Sequence, residues 1–317
     1  MNIDERAEPY IAHSPSPAPT ASAGPAEAPR AAGESPSDYV DRIRRYVCGT
    51  LPASAFRGAP TLQPAQCSGL LDAAAAEFAP WLRKAGKTVP EIVGTTPSQL
   101  ATVMNHMQCP PDRLTMSSEA ILDNILTLAR DVIVRRVPGD FIEAGAWRGG
   151  VGVLMRAAIA AHGDREPSRR TVWVADSFAG LPEPDPAICL EDAVLHHLMR
   201  AIGGLQVDRA VLERAFARVG LLDRQVRILD GWFADTLPKA PIKRLALMRL
   251  DGDWYESTMT ALDSLYPLLS VGGFVIIDDY GLPTGCARAV HEYRAVRGIA
   301  APLQRVDRRA VFWCKTR

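Results

Sequence analysis

The stretch Asp140-Phe141-Ile142-Glu143-Ala144-Gly145-Ala146-Trp147-Arg148-Gly149-Gly150 decides the fold. A short apolar run that carries an acid and then breaks at glycines reads as a buried strand running into a turn. Upstream, Ile121, Leu122, Ile125, Leu126, Leu128, Ala129 and Val132 recur at helical spacing behind a Ser117 or Ser118 cap, and Pro138-Gly139 stops that helix. Downstream, residues 151–162 read as the next helix. Thr171-Val172-Trp173-Val174-Ala175-Asp176 reads as a second strand, ending on an acid.

The alternation continues. Val226-Arg227-Ile228-Leu229, Leu245-Ala246-Leu247-Met248-Arg249-Leu250 and Gly273-Phe274-Val275-Ile276-Ile277 are predicted strands, with a helix over about 256–268 between the last two. A helix over 284–296 and a strand Val311-Phe312-Trp313-Cys314 close the chain. Continuous apolar strands alternating with helices predict an α/β fold, a doubly wound, mostly parallel sheet covered on both faces.

In such a sheet, ligands bind beyond the carboxyl ends of the strands. Those ends carry Glu143 to Gly150, Asp176-Ser177-Phe178, Asp230-Gly231-Trp232-Phe233, Asp251-Gly252-Asp253 and Asp278-Asp279-Tyr280. The first turn is not the G-x-G-x-x-G dinucleotide fingerprint. Its glycines allow close backbone approach, and its acid suits a positively charged ligand. S-adenosylmethionine, with an amino group and a sulfonium, fits better than NAD. Asp176 can hold ribose hydroxyls. Trp232 and Phe233 can stack on adenine, or simply fill the core.

Asp251 ends one strand and Asp278-Asp279 end a strand one βα unit later. Neighbouring strand ends lie roughly 5 Å apart, so the three carboxylates can converge. Uncompensated, they would repel one another and raise each other's pKa. A divalent cation resolves the conflict, and oxygen-only ligands select a hard ion such as Mg²⁺. The competing reading is that Asp278-Asp279, and Asp253, cap the helices that follow. A metal beside a methyl donor would stabilise the alkoxide developing on an acceptor hydroxyl, and a vicinal diol could chelate it.

These segments, together with Ala179-Gly180-Leu181-Pro182, Ala234-Asp235-Thr236-Leu237-Pro238 and Trp254-Tyr255-Glu256-Ser257-Thr258, closely resemble the macrocin O-methyltransferase family. The resemblance is strong from about Thr115 onward and weaker from about Asp38. It implies a class I methyltransferase fold with an antiparallel C-terminal strand, S-adenosylmethionine and Mg²⁺ as cofactors, and sugar hydroxyls of natural products as acceptors. By position it makes Asp251, Asp278 and Asp279 metal ligands, with Asp251 also the general base. Thr115 and Met116 fall in a segment closing over the cofactor, Glu143, Gly145 and Trp147 in its first turn, Asp176, Ser177 and Phe178 around the ribose, and Gly231 and Trp232 beside the adenine. Residues about 184–200 correspond to a mobile lid. Family members are commonly oligomeric, which implies a homo-oligomer. The stretch from about Leu51 to Pro111 fits the family poorly, and the acceptor is the least transferable feature.

Composition agrees. The 317 residues carry 36 Lys plus Arg and 36 Asp plus Glu, a net charge of zero, which gives nucleic acid no electrostatic footprint. Hydrophobic residues make up 47% and charged residues 23%, the balance of a globular protein. No apolar run approaches the roughly 20 residues of a membrane span, and the start lacks a signal-peptide pattern, so a cytoplasmic chain is expected. The six cysteines are scattered, which reads as reduced thiols. Residues 1–36, rich in Pro and Ala, are expected to be disordered. Residues 37–114 are expected to form a helical region that walls a pocket or makes oligomer contacts, and 115–317 the methyltransferase domain. Two other classes, a nicotinamide oxidoreductase and a non-catalytic binding protein, use the same scaffold. The missing fingerprint disfavours the first, and the intact acids disfavour the second.

Overall fold

Strand Leu245–Leu250 is buried along its whole length, so it lies at the centre of a sheet covered on both faces. The computed structural model describes residues 33–49, 62–107, 109–162, 170–201, 203 and 205–317. Its strands are β1 (Asp140–Ala144), β2 (Val172–Asp176), β3 (Val226–Asp230), β4 (Leu245–Leu250), β5 (Leu269–Ile277), β6 (Gln304–Arg305) and β7 (Val311–Cys314). They form one seven-stranded sheet in the order β3-β2-β1-β4-β5-β7-β6. The first five are parallel, and β7 runs antiparallel between β5 and β6. The doubly wound, mostly parallel sheet with an antiparallel C-terminal strand is therefore present. β5 starts four residues before the expected Gly273, and β6, only two residues long, left no pattern in the sequence.

The helices are α1 (Pro36–Cys48), α2 (Pro64–Glu77), α3 (Ala79–Ala85), α4 (Val89–Val93), α5 (Pro97–Met107), α6 (Glu119–Val134), α7 (Gly150–His162), α8 (Leu190–Arg200), α9 (Arg209–Arg218), α10 (Phe233–Thr236), α11 (Tyr255–Leu265) and α12 (Cys286–Val296). Of the two candidate caps for α6, Ser118 is the one used, accepting from the Ile121 amide at 3.2 Å. α7 is apolar on nearly every face. It is accordingly buried, between the sheet and α1 and α6. α11 and α12 cover the opposite face with Leu262, Leu265, Val290 and Tyr293.

The region expected over 37–114 divides in two. α1 inserts Tyr39, Ile43 and Val47 into the sheet's own core. α2 to α5 build a separate cluster, through Leu71, Val93, Leu100 and Met104, with Ala193, Val194 and Leu198 of α8. α8 lies within the stretch expected to be a lid. Of the expected Pro/Ala tail, residues 1–32 lie outside the described residues, and Ser35 caps α1 by accepting from the Asp38 amide. All six cysteines are free. Among the described residues, no helix is long and apolar enough to cross a membrane.

Candidate active site

The ladder of the sheet continues past the strand ends and lines up the turns. Gly145 N donates to Ala175 O at 2.9 Å, Asp251 N to Ala144 O at 2.8 Å, Asp278 N to Leu250 O at 2.9 Å and Gly231 N to Asp176 O at 2.9 Å. At Gly145, with φ of 91°, an added Cβ would overlap the Asp251 carbonyl oxygen, so only glycine lets the first turn lie against the Asp251 turn.

Among the described residues, three of the four non-glycine positions with positive φ stand on this edge: Trp147 (49°), Phe178 (54°) and Asp253 (55°). Each such conformation costs about 1–3 kcal/mol and persists only where neighbours enforce it. Two of the predicted site acids do so. Asp176 Oδ2 accepts from the amides of Ala146 (2.9 Å) and Trp147 (2.8 Å), and its Oδ1 accepts from Phe178 N at 2.8 Å. Asp279 Oδ2 accepts from Asp253 N at 3.0 Å. Burial raises the Asp176 pKa, against the pull of these amides.

At the ends of β4 and β5, one carboxylate oxygen from each of Asp251, Asp278 and Asp279 lies within 4.8 Å of the others. At that spacing and an effective dielectric near 20, each ionised pair repels by about 3 kcal/mol. The acids are not uncompensated, as the sequence reading supposed. Arg249, on β4, donates to Glu143 Oε1 (2.9 Å), Ser117 Oγ (2.9 Å), Asp251 Oδ2 (2.7 Å) and Asp278 Oδ1 (2.8 Å). Arg309, from the turn between β6 and β7, reaches Asp278 Oδ2 at 3.3 Å and Asp279 Oδ1 at 3.1 Å. Four carboxylates thus face two guanidinium groups, and full ionisation would leave two negative charges unmatched. Burial drives the acids upward: Asp251 well above the usual carboxylate range, Asp279 and Asp253 to about 7 and Glu143 to about 8. Burial pulls Arg249 down, but the surrounding carboxylates outweigh it and hold its pKa above the ordinary value. Oxygen donors alone, with carboxylates in excess of guanidinium groups, fit a hard divalent cation.

The helix-cap alternative for these acids does not hold. Trp254 and Gly285 stand at the N-caps of α11 and α12. Asp253 sits one residue before its helix's cap, and Asp278-Asp279 lie well upstream of theirs.

A cavity of about 1090 Å³ opens over this edge. Met116, Gly145, Trp147, Asp176, Ser177, Trp232, Asp251 and Asp278 line it. Thr115, Glu143, Phe178, Gly231 and Asp279 stand behind its surface. Glu143 is 1% exposed, and its partners are the Gly152 amide at 2.6 Å and Arg249. The cation it meets comes from within the protein, not from a ligand at the surface. Phe178 packs into the sheet's core. The opposite wall is helical: Leu100, Val103, Met104 and Met107 of α5, and Leu195 and Met199 of α8.

Sequence reasoning passed over Arg249, Arg309, Ser117 and Asp192. Asp192, 1% exposed on α8, accepts from the amides of Tyr255 (2.7 Å) and Gly285 (2.6 Å), at the starts of α11 and α12. For Arg249 a signal existed, a single charge inside an otherwise apolar strand. A buried charge must be paired, so it pointed to partners nearby.

A mostly parallel sheet with an antiparallel β7 is the architecture of the class I methyltransferases. Residues 80–315 match the family Macrocin-O-methyltransferase (TylF), and the chain belongs to that family. It is 50% identical over 195 residues to an 8-demethyl-8-(2,3-dimethoxy-alpha-L-rhamnosyl)-tetracenomycin-C 4'-O-methyltransferase of Streptomyces olivaceus, a match covering 62% of this chain and 73% of that one. It is 48% identical over 208 residues to the demethyldecarbamoylnovobiocin O-methyltransferase of Streptomyces niveus, covering 66% and 78%. Among solved structures, the O-methyltransferase NovP superposes with a TM-score of 0.65 at 36% identity, covering 89% of this chain and all of that one. Membership decides for methyl transfer over the nicotinamide oxidoreductase and non-catalytic readings.

Proposed function

We propose that the enzyme is a Mg²⁺-dependent O-methyltransferase that methylates a hydroxyl of a sugar or vicinal diol on a small natural product of antibiotic biosynthesis. The observation that carries this reading is the convergence of Asp251, Asp278 and Asp279 within 4.8 Å, on the edge of the cavity that also holds the Gly145–Trp147 turn. The relatives named above act, by name, on a rhamnosyl-tetracenomycin and on demethyldecarbamoylnovobiocin, which supports an acceptor of that kind.

The residues divide the work. Gly145, Trp147, Asp176, Ser177, Met116 and Trp232 contact S-adenosylmethionine. Thr115, Glu143, Phe178 and Gly231 shape that surface from behind. Asp251, Asp278 and Asp279 hold the divalent cation, and the bound cation supplies Lewis-acid stabilisation of charge developing on the acceptor oxygen. Asp251, a carboxylate at the cavity surface, takes the acceptor proton. The cavity walls orient the acceptor oxygen in line with the sulfonium methyl and exclude water.

The test is an assay with S-adenosylmethionine and a panel of glycosylated acceptors, followed by mass spectrometry for the gain of one methyl group. Asp251→Asn is expected to lower turnover by about 100-fold or more while S-adenosylmethionine still binds. Full activity in EDTA would overturn the metal dependence.

A further inference from the structure

The two arginines in the acid cluster are not equivalent. The Arg249 side chain is 3% exposed, grows from the central strand and makes four bonds of 2.7–2.9 Å. The Arg309 side chain is 32% exposed, grows from a turn, lines the cavity and makes two contacts of 3.1 and 3.3 Å. Charge-assisted N–H to carboxylate bonds run about 2.7–2.9 Å, so Arg309 is held at the loose end. In both arginines Nε is buried and meets no partner among the described residues, so the difference between them lies in exposure and in bond length.

The backbone beneath Arg309 is fixed. Its amide donates to Asp307 Oδ1 at 2.8 Å, and its carbonyl accepts from Gly281 N at 2.7 Å. Gly281 itself lies so close to the Arg308 carbonyl that an added Cβ would overlap it. The turn cannot drift, but the side chain can swing from the acids into the open cavity.

We propose that Arg309 is an exchangeable counter-ion of the acid cluster. Its guanidinium bridges Asp278 and Asp279 until a divalent cation is bound, and it must leave at least one of them when the cation enters. It thereby sets the cation affinity of the site, whereas Arg249 stays as the permanent charge beneath it. This inference rests on the metal reading above. A guanidinium and a dication sharing the same carboxylates repel each other, and that repulsion weakens binding of the cation.

The experiment is titration of the full chain with Mn²⁺, with free Mn²⁺ read by electron paramagnetic resonance and no substrate present. Arg309→Met removes the charge and keeps the length, and it is expected to bind Mn²⁺ about tenfold or more tightly than the wild type. Arg309→Lys keeps the charge and is expected to stay within about threefold of the wild type. Arg309→Gln is a second neutral variant, expected to tighten binding as Arg309→Met does, should that protein fail to fold. Equal or weaker binding by the neutral variants, with a wild type that does bind, would overturn the role of Arg309 and leave the metal site standing. A wild type that binds no Mn²⁺ would overturn the metal reading and this inference together.

Discussion

The two walls of the cavity are built on different physics. The strand-end wall is held by charge and backbone: Asp176 and Asp279 brace left-handed residues, and Arg249 ties Glu143, Ser117, Asp251 and Asp278 into one network. The facing wall, α2 to α5 with α8, is held by an apolar cluster of its own. Among the described residues, polar links join α8 and the segment before it to the strand-end side: Asp192 bonds to the starts of α11 and α12, Trp254 Nε1 donates to Pro182 O at 3.1 Å, Asp185 N donates to Glu256 at 3.3 Å and Arg288 donates to Ile188 O at 2.6 Å. A charge network fixes atoms to within tenths of an ångström, as chemistry requires. An apolar cluster tolerates exchange of side chains of similar volume. The helical wall can therefore exchange side chains of similar volume without disturbing the strand-end wall.

The comparison breaks first at Arg249. If charge holds the strand-end wall, Arg249→Met leaves the buried Glu143 and the half-buried Asp251 without a counter-charge, and leaves Asp278 with Arg309 alone. The expected cost is about 3–5 kcal/mol, read as a lower urea midpoint. A variant as stable as the wild type would mean that the network contributes little and that packing alone builds this wall.

Asp192 sharpens the link between the walls. Asp192→Ala leaves the Tyr255 and Gly285 amides without acceptors, worth about 1–3 kcal/mol. The loss is expected to fall on α8, with faster protease cleavage within 183–200 and a raised acceptor KM, while S-adenosylmethionine affinity stays within about twofold. Unchanged cleavage and unchanged KM would show that the apolar cluster seats α8 unaided.

The same contrast explains what could be read from the sequence. Glu143, Asp176, Asp251, Asp278 and Asp279 stand out because each is an acid where an apolar strand ends, and a ligand edge is the usual reason for that. The helical wall gives no such sign. Val103, Met104 and Met199 are ordinary apolar residues at helical spacing, and nothing local says that they face a cavity. α1 was grouped with its helical neighbours because periodicity reports a buried face but not what buries it. Arg309 is hidden for a different reason: it reaches the acids only because β7 runs antiparallel beside β5, a pairing between distant segments. Even the charge state of the cluster was misjudged, since three acids in a row of strand ends look uncompensated until the arginines fold in beside them.

The smallest expected effect lies where the strand-end wall meets the turn that carries Arg309. Asp307 accepts from Ser118 Oγ at 2.7 Å, Arg309 N at 2.8 Å and Ala310 N at 2.9 Å, joining α6 to that turn. Burial raises the Asp307 carboxyl, but the Ser118 hydroxyl, the two amides and the Arg309 charge outweigh it and hold its pKa below the ordinary value. A depressed value in the folded state means that the unfolded chain takes the proton first. The stabilisation is therefore complete above the unfolded value near about 3.9, and it is lost as pH falls through the folded one. Asp307→Asn is expected to cost about 1 kcal/mol at neutral pH. The gap in unfolding free energy should close as the pH falls below the depressed folded-state value, where the wild-type residue is itself protonated. Denaturation of both proteins across that range reads the difference directly. A gap that persists unchanged in acid would assign the stabilisation to the shape of the turn rather than to the carboxylate charge, and would move this corner from the charge-held wall to the packed one.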